Sequence, residues 1–264
     1  MPKAMTFTRQ IFPKFLKTWI QKLREFYPNQ KLQLSWTIFS NSTPESQRAF
    51  LQKVDTTKIL AHVSQEMLTP IGRFYKDGHN SLLYNNFFDI QKPVLVLGGY
   101  LGDSVQAFLD ESSSRRIVVM EPIHDFSDFI RTRFENRENV IVLPFGAAST
   151  NGKRTLSISG EKSSEFSLLP LSESVDATDI SQVVSDYGPF HVMEVNIEGS
   201  EYEVLQRLIE TGQIEDLDVL LLQFHEIDAS SMTNRDNITK MLTQTHTIRF
   251  EYEWIWERWD RNNA

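Results

Sequence analysis

Cysteine is absent from the 264 residues. Disulfides, thiolate zinc sites and cysteine nucleophiles are excluded with it. Long apolar runs are missing too, and none reaches the roughly 20 residues that a bilayer-crossing helix needs. The early apolar positions are interleaved with charge, unlike a secretory signal. The expectation is a soluble, cytoplasmic protein. Positive charge is also in short supply: 27 Lys and Arg against 35 Asp and Glu give a net charge of −8. General nucleic-acid binders carry a basic footprint, so nucleic acid is not an expected partner. Asn196, Glu198, His225 and Glu226 offer at most a ligand or two to a cation, and no metal site is expected.

What is present suits a packed core. Forty per cent of residues are hydrophobic and 23% charged, and the length fits one main domain with an extension. The charge is unevenly spread: up to Phe26 the chain is net +5, which leaves −13 for the rest. Within residues 7–26, Phe12, Phe15, Leu16, Trp19, Ile20, Leu23 and Phe26 recur at helical spacing. Such a basic, aromatic stripe packs as a lid on the domain or makes peripheral contact with an anionic membrane surface. A second helix is predicted over residues 44–67, with Thr43 as its cap. Residues 1–73 are therefore read as a helical extension and 74–264 as the main domain.

From Lys92 onward the pattern changes. Val94–Leu97, Ile117–Met120 and Val140–Leu143 are unbroken apolar runs of strand length, separated by helix-like segments. Further strands are predicted at 155–158, 190–197, 217–224 and 247–256, with helices after Ser200 and around Ile238. Residues 160–186, rich in serine and acid, read as an irregular loop. Alternating strands and helices imply a parallel sheet in a Rossmann-like α/β fold.

Four places carry chemistry. The first is Gly98-Gly99-Tyr100-Leu101-Gly102 between a strand and a helix. Glycine permits close backbone approach to a ligand, and the helix start offers N–H groups to an anion. Val96 precedes the first glycine by two, so the dinucleotide pattern G-x-G-x-x-G is not met. The second is Glu121 at the end of the next strand, 19 residues past Gly102, placed to accept ribose hydroxyls. The third is Asn196-Ile197-Glu198-Gly199-Ser200, with Asn196 and Glu198 at the carboxyl edge of the sheet; Glu201 and Glu203 read as helix-dipole complements. The fourth is His225, a general base for a hydroxyl or a hydrogen-bonded residue that shapes the pocket.

Taken together, VLVLGGYLGD (94–103), VVMEP (118–122), EVNIEGSEYEVL (194–205) and LQFHE (222–226) resemble the FkbM-type methyltransferases. Order and spacing match from about residue 74 to the end. The resemblance implies a class I fold with a mostly parallel seven-stranded sheet and helices on both faces. It implies S-adenosylmethionine as cofactor and O-methylation of a hydroxyl on a small-molecule or glycan acceptor. By position, Gly98, Gly99 and Gly102 would line the methionine part of the cofactor, Glu121 would hold the ribose, and Phe145, Gly146 and Ala147 would lie near the adenine, with Tyr100, Asp103 and Asn196 also in the cofactor site. His225 is the first candidate base and Glu198 the second. The chain departs from the family at three positions: many members have an acid at Val96, asparagine at Tyr100 and lysine at Glu194. Two alternatives stay open, a non-catalytic cofactor-binding protein on the same fold and an NAD-type oxidoreductase.

Overall fold

The computed structural model describes residues 69–85, 92–157 and 172–262. The helices expected within residues 1–68 and the first part of the loop expected at 160–186 lie outside these. In chain order the strands are β1 Val94–Leu97, β2 Ile117–Met120, β3 Val140–Leu143, β4 Gly146–Ala148, β5 Gly152–Ser157, β6 Ser172–Asp179, β7 Val192–Val195, β8 Val219–Leu222, β9 His246–Tyr252 and β10 Trp256–Arg261. The helices are α1 Pro70–Lys76, α2 His79–Tyr84, α3 Asp103–Glu111, α4 His124–Arg133, α5 Ile180–Tyr187, α6 Glu201–Glu210 and α7 Ser231–Leu242.

Seven strands form the main sheet in the order β3-β2-β1-β7-β8-β10-β9. All neighbours from β3 to β8 are parallel, and β10 runs antiparallel to both β8 and β9. The apolar runs are strands buried on both sides, as their lack of alternation requires. Leu95, Val118, Met193 and Leu220 face one layer with Val183 of α5 and Val204, Leu205 and Leu208 of α6. Val94, Val96, Val119 and Leu221 face the other with Val105 and Phe108 of α3 and Ile130 of α4. This is a Rossmann-like class I arrangement. Its order reverses between β1 and β7, and such switch points open a crevice at the carboxyl ends of the strands.

Two sequence expectations are corrected. Residues 172–187 are not loop but β6 followed by α5. β6 alternates, with Val175 and Ala177 inward and Ser and acidic residues outward, so only two apolar residues signal it. It pairs with β4 and β5 in a separate three-stranded sheet. The single strand expected at 247–256 is a hairpin, β9 and β10. Its turn contains no glycine; Trp254 takes φ 59° in its place, which removed the usual turn signal. Trp259 and Trp254 pack on one face of the sheet and Trp256 on the other. No helix among the described residues is long and apolar enough to cross a membrane.

Candidate functional site

β1 delivers the chain to the switch point, where the glycine turn begins. Gly98 and Gly99 N–H groups donate to the Met120 carbonyl at 3.0 and 3.2 Å, tying the turn to the end of β2. Gly98 has φ 88°, and a Cβ there would lie 2.0 Å from the Asn196 carbonyl oxygen. A Cβ on Gly99 would lie 2.5 Å from Val119 Cγ2 and 2.7 Å from Ile130 Cδ1. Both glycines are thus demanded by the protein's own packing before any ligand arrives. Tyr100 follows at φ 44°, its ring edge-on to Phe126 at 4.8 Å. Asp103 begins α3 and pairs with Arg133 at 2.6 Å.

Glu121 is buried beneath this turn. Its carboxylate accepts the Tyr100 N–H at 2.8 Å and the Ile123 N–H at 2.9 Å. Burial pushes its pKa up to about 7 despite those backbone bonds. The acid expected to meet a ribose therefore also organises the turn itself. Phe145 packs on the core, and Gly146 and Ala147 lie on β4, where a Cβ at Gly146 would stand 3.7 Å from Pro122, next to Glu121. The ends of β2 and β3 thus converge on one side of the turn.

On the other side stands Asn196, whose N–H donates to the Leu97 carbonyl at 3.0 Å. Its Oδ1 is buried and finds no hydrogen-bond partner among the described residues. A buried acceptor of this kind costs free energy unless something fills it. Glu198 follows at φ 51° and lies 3.4 Å from His225 Nε2, at the end of the adjacent β8. His225 is held on its other nitrogen by Glu201, 3.2 Å from Nδ1.

Glu201 is the residue that sequence reading missed. Only 1% exposed, it accepts the Gly199 N–H at 2.8 Å and the His225 N–H at 2.6 Å. The signal was present: Glu201, Val204, Leu205 and Leu208 share the buried face of α6 at helical spacing. Glu203 likewise does more than face a dipole, since it takes the Ser149 N–H at 3.1 Å. Tyr202 donates its hydroxyl to the His225 carbonyl at 2.6 Å.

Burial lowers the His225 pKa, but the Glu198 and Glu201 carboxylates outweigh it and lift the value to about 9. The two carboxylates thus favour the protonated imidazole. A raised histidine pKa adds stability that is complete below the ordinary 6.5 and is lost as pH climbs through about 9. Glu121 and Glu194, each raised to about 7, act in the same sense at lower pH: the stability they add is lost as pH climbs from their ordinary 4.5 through about 7, and little changes above it. Between pH 7 and 9 His225 is the buried histidine, among the described residues, whose charge changes; His124, raised by its contact with Glu173, is exposed. Unfolding in urea should show the chain losing on the order of 2 kcal/mol across that interval, from a shift of that size. His225→Gln should lose markedly less over the same interval; an equal decline there assigns the loss to other groups, His124 among them.

The family-pattern departures at Val96 and Glu194 fall side by side, since the two are register partners on β1 and β7. Glu194 is fully enclosed and receives the Ser104 hydroxyl from the first turn of α3. Tyr84 lies 3.1 Å from the same hydroxyl. Among the described residues, no group of three or more His, Asp or Glu is arranged to hold a metal ion.

No protein-family model matches the sequence, and no curated protein matches it either. Solved structures do. The chain is similar to a methyltransferase FkbM from Methylobacillus flagellatus KT, with a TM-score of 0.50 and 14% identity over 69% of this chain. It spans about half of that protein, 47% of its length. Weaker likenesses include fibrillarin from Methanococcus jannaschii, at TM-score 0.44 and 10% identity over 70% of this chain and 74% of that one. Aeropyrum pernix fibrillarin, solved with natively bound S-adenosyl-L-methionine, gives 0.41 and 8% over 70% and 73%. At these identities the likeness to the first bears on the fold, which is the Rossmann-like α/β arrangement derived above.

Proposed function

We propose that this chain is an S-adenosylmethionine-dependent methyltransferase acting on a hydroxyl of a small-molecule or glycan acceptor. The observation that carries the reading is the convergence at the switch point. The glycine turn, buried Glu121 and the orphaned Asn196 Oδ1 meet between β1, β2 and β7. The His225–Glu198 pair sits at the end of the next strand, β8. The cofactor fits this donor set. Asn196 Oδ1 offers an acceptor to an ammonium or hydroxyl, the start of α3 offers N–H groups to a carboxylate, and Glu121 accepts ribose hydroxyls. When bound, the cofactor supplies an electrophilic methyl group on a sulfonium, which passes in line to an attacking oxygen.

The chain's part is to place that oxygen and remove its proton. With the proton on His225 at rest, Glu198 is the acceptor in the pair and His225 orients it. Phe145, Gly146 and Ala147 border the adenine side, and Gly98, Gly99, Tyr100, Gly102 and Asp103 frame the methionine side.

Calorimetric titration tests the cofactor assignment. S-adenosylhomocysteine should bind and NAD should not. Binding of NAD alone would point to hydride transfer, and binding of neither would remove the reading. Labelled methyl transfer from S-adenosylmethionine to pooled sugars, phenols and RNA then identifies the acceptor. Labelling of RNA alone would overturn the small-molecule part.

A further inference from the structure

Glu194 lies in an otherwise apolar layer. Its register partners are Val96 on β1 and Leu221 on β8, and the same layer holds Val94, Val119 and Val192. It is 2% exposed, and burial lifts its pKa to about 7. Well-packed hydrophobic residues would be at least as stable in such a place as a carboxylate. Stability therefore does not explain the residue.

Its bond to α3 does. Ser104 donates its hydroxyl to Glu194 Oε1, which leaves Tyr84 as donor to Ser104 at 3.1 Å. The line runs from α2 through the first turn of α3 to the middle of the sheet. α3 needs such an anchor: its N-cap is Gly102, in the left-handed region, and no side chain caps it. Ser104 stands two residues past Gly102, in the turn whose N–H groups point to the crevice. The polar groups facing Glu194 are Ser104 from α3 and Tyr84 from α2, with Asp103 acting on Tyr84. β1 and β8 contribute only apolar side chains.

We propose that Glu194 is a positioning residue for the glycine turn, fixing the first turn of α3 through the Ser104 hydroxyl and so setting the N–H groups that receive the cofactor. This rests on the cofactor reading given above. The carboxylate is kept at a cost in stability because it aims a backbone, and Tyr84 completes the line by occupying the second side of Ser104.

The test separates affinity from stability. Thermal melts and S-adenosylhomocysteine titrations at pH 8 are run on the full chain and on Glu194→Leu, Glu194→Gln, Ser104→Ala and the Glu194→Leu/Ser104→Ala double variant. Glu194→Leu is expected to raise Tm and yet weaken binding about tenfold. Ser104→Ala should weaken it by a similar factor, and the double variant no further, because both remove one link. Glu194→Gln keeps an acceptor oxygen and should stay within about threefold of the parent. Unchanged affinity in Glu194→Leu, or losses that multiply in the double variant, overturns the proposal. So does a fall in Tm that tracks the loss of binding, which would mark a purely structural role. Should Glu194→Leu not fold, Ser104→Ala and Glu194→Gln carry the decision: a tenfold loss in the first with retention in the second supports it, and any other pattern refutes it. If the parent chain itself fails to bind, the cofactor reading is what has failed.

Discussion

Gly98→Ala is expected to abolish cofactor binding and to destabilise the chain by about 3 kcal/mol or more. Two effects add. A left-handed φ of 88° on a residue with a Cβ costs about 1 kcal/mol or more. The Cβ would also stand 2.0 Å from the Asn196 carbonyl oxygen, a backbone atom that cannot rotate away. Relieving such overpacking costs typically 1–3 kcal/mol and moves the ends of β1 and β7 apart. Gly212 provides the internal control. Its φ is 76°, but nothing lies within 4 Å of its Cβ position. Gly212→Ala should therefore show the conformational part alone, about 1 kcal/mol. Urea unfolding of both variants measures the difference, and titration with S-adenosylhomocysteine reads its consequence. Equal destabilisation by the two substitutions would mean that the contact with Asn196 is unimportant.

Glu201→Ala is the second large effect. The side chain accepts the Gly199 and His225 N–H groups and pairs with Nδ1 of the His225 ring. Its removal strands those donors in a buried place and leaves the imidazolium with Glu198 alone. Breaking a buried pair from one side costs about 3–5 kcal/mol. The His225 pKa should also fall from about 9, because Glu201 is one of the two carboxylates that raise it. Glu201→Gln keeps an acceptor and should show the fall in pKa with less loss of stability. Urea unfolding and an NMR titration of the His225 ring check both parts. Glu210→Ala, at the exposed end of the same helix, should be neutral in each. A His225 pKa that stays near 9 in Glu201→Gln would assign the shift to Glu198 alone.

The frame of the fold was legible because it is written in short-range patterns. β1, β2, β3 and β8 announce themselves as apolar runs, and the glycine turn follows β1 at the place that a βα unit requires. β6 was hidden because an edge sheet with one solvated face needs few apolar residues. The β9–β10 hairpin was hidden because Trp254 does what a glycine usually does. In the site, the residue types were visible and their partners were not. Glu121 looks like a free strand-end acid in sequence, yet the turn 21 residues earlier donates to it. The charge on His225 is a property of three side chains from two elements, and no local pattern encodes it. Ser104, Tyr84 and Glu194 are 20 and 90 residues apart along the chain, so their line exists only once the sheet is assembled.

The seating of Gly98 against the Asn196 carbonyl has a mechanical meaning. No side chain separates the exit of β1 from the exit of β7, so neither can shift without displacing the other. From Asn196 the connection runs three residues to Gly199, whose N–H is bonded to Glu201, and from Glu201 to the backbone and ring of His225. The glycine turn and the histidine are thus joined by way of the Glu201 carboxylate. By linkage, any free energy that couples a molecule at the turn to one at His225 is the same in both directions. The two halves of the crevice therefore share one joint, the buried carboxylate of Glu201.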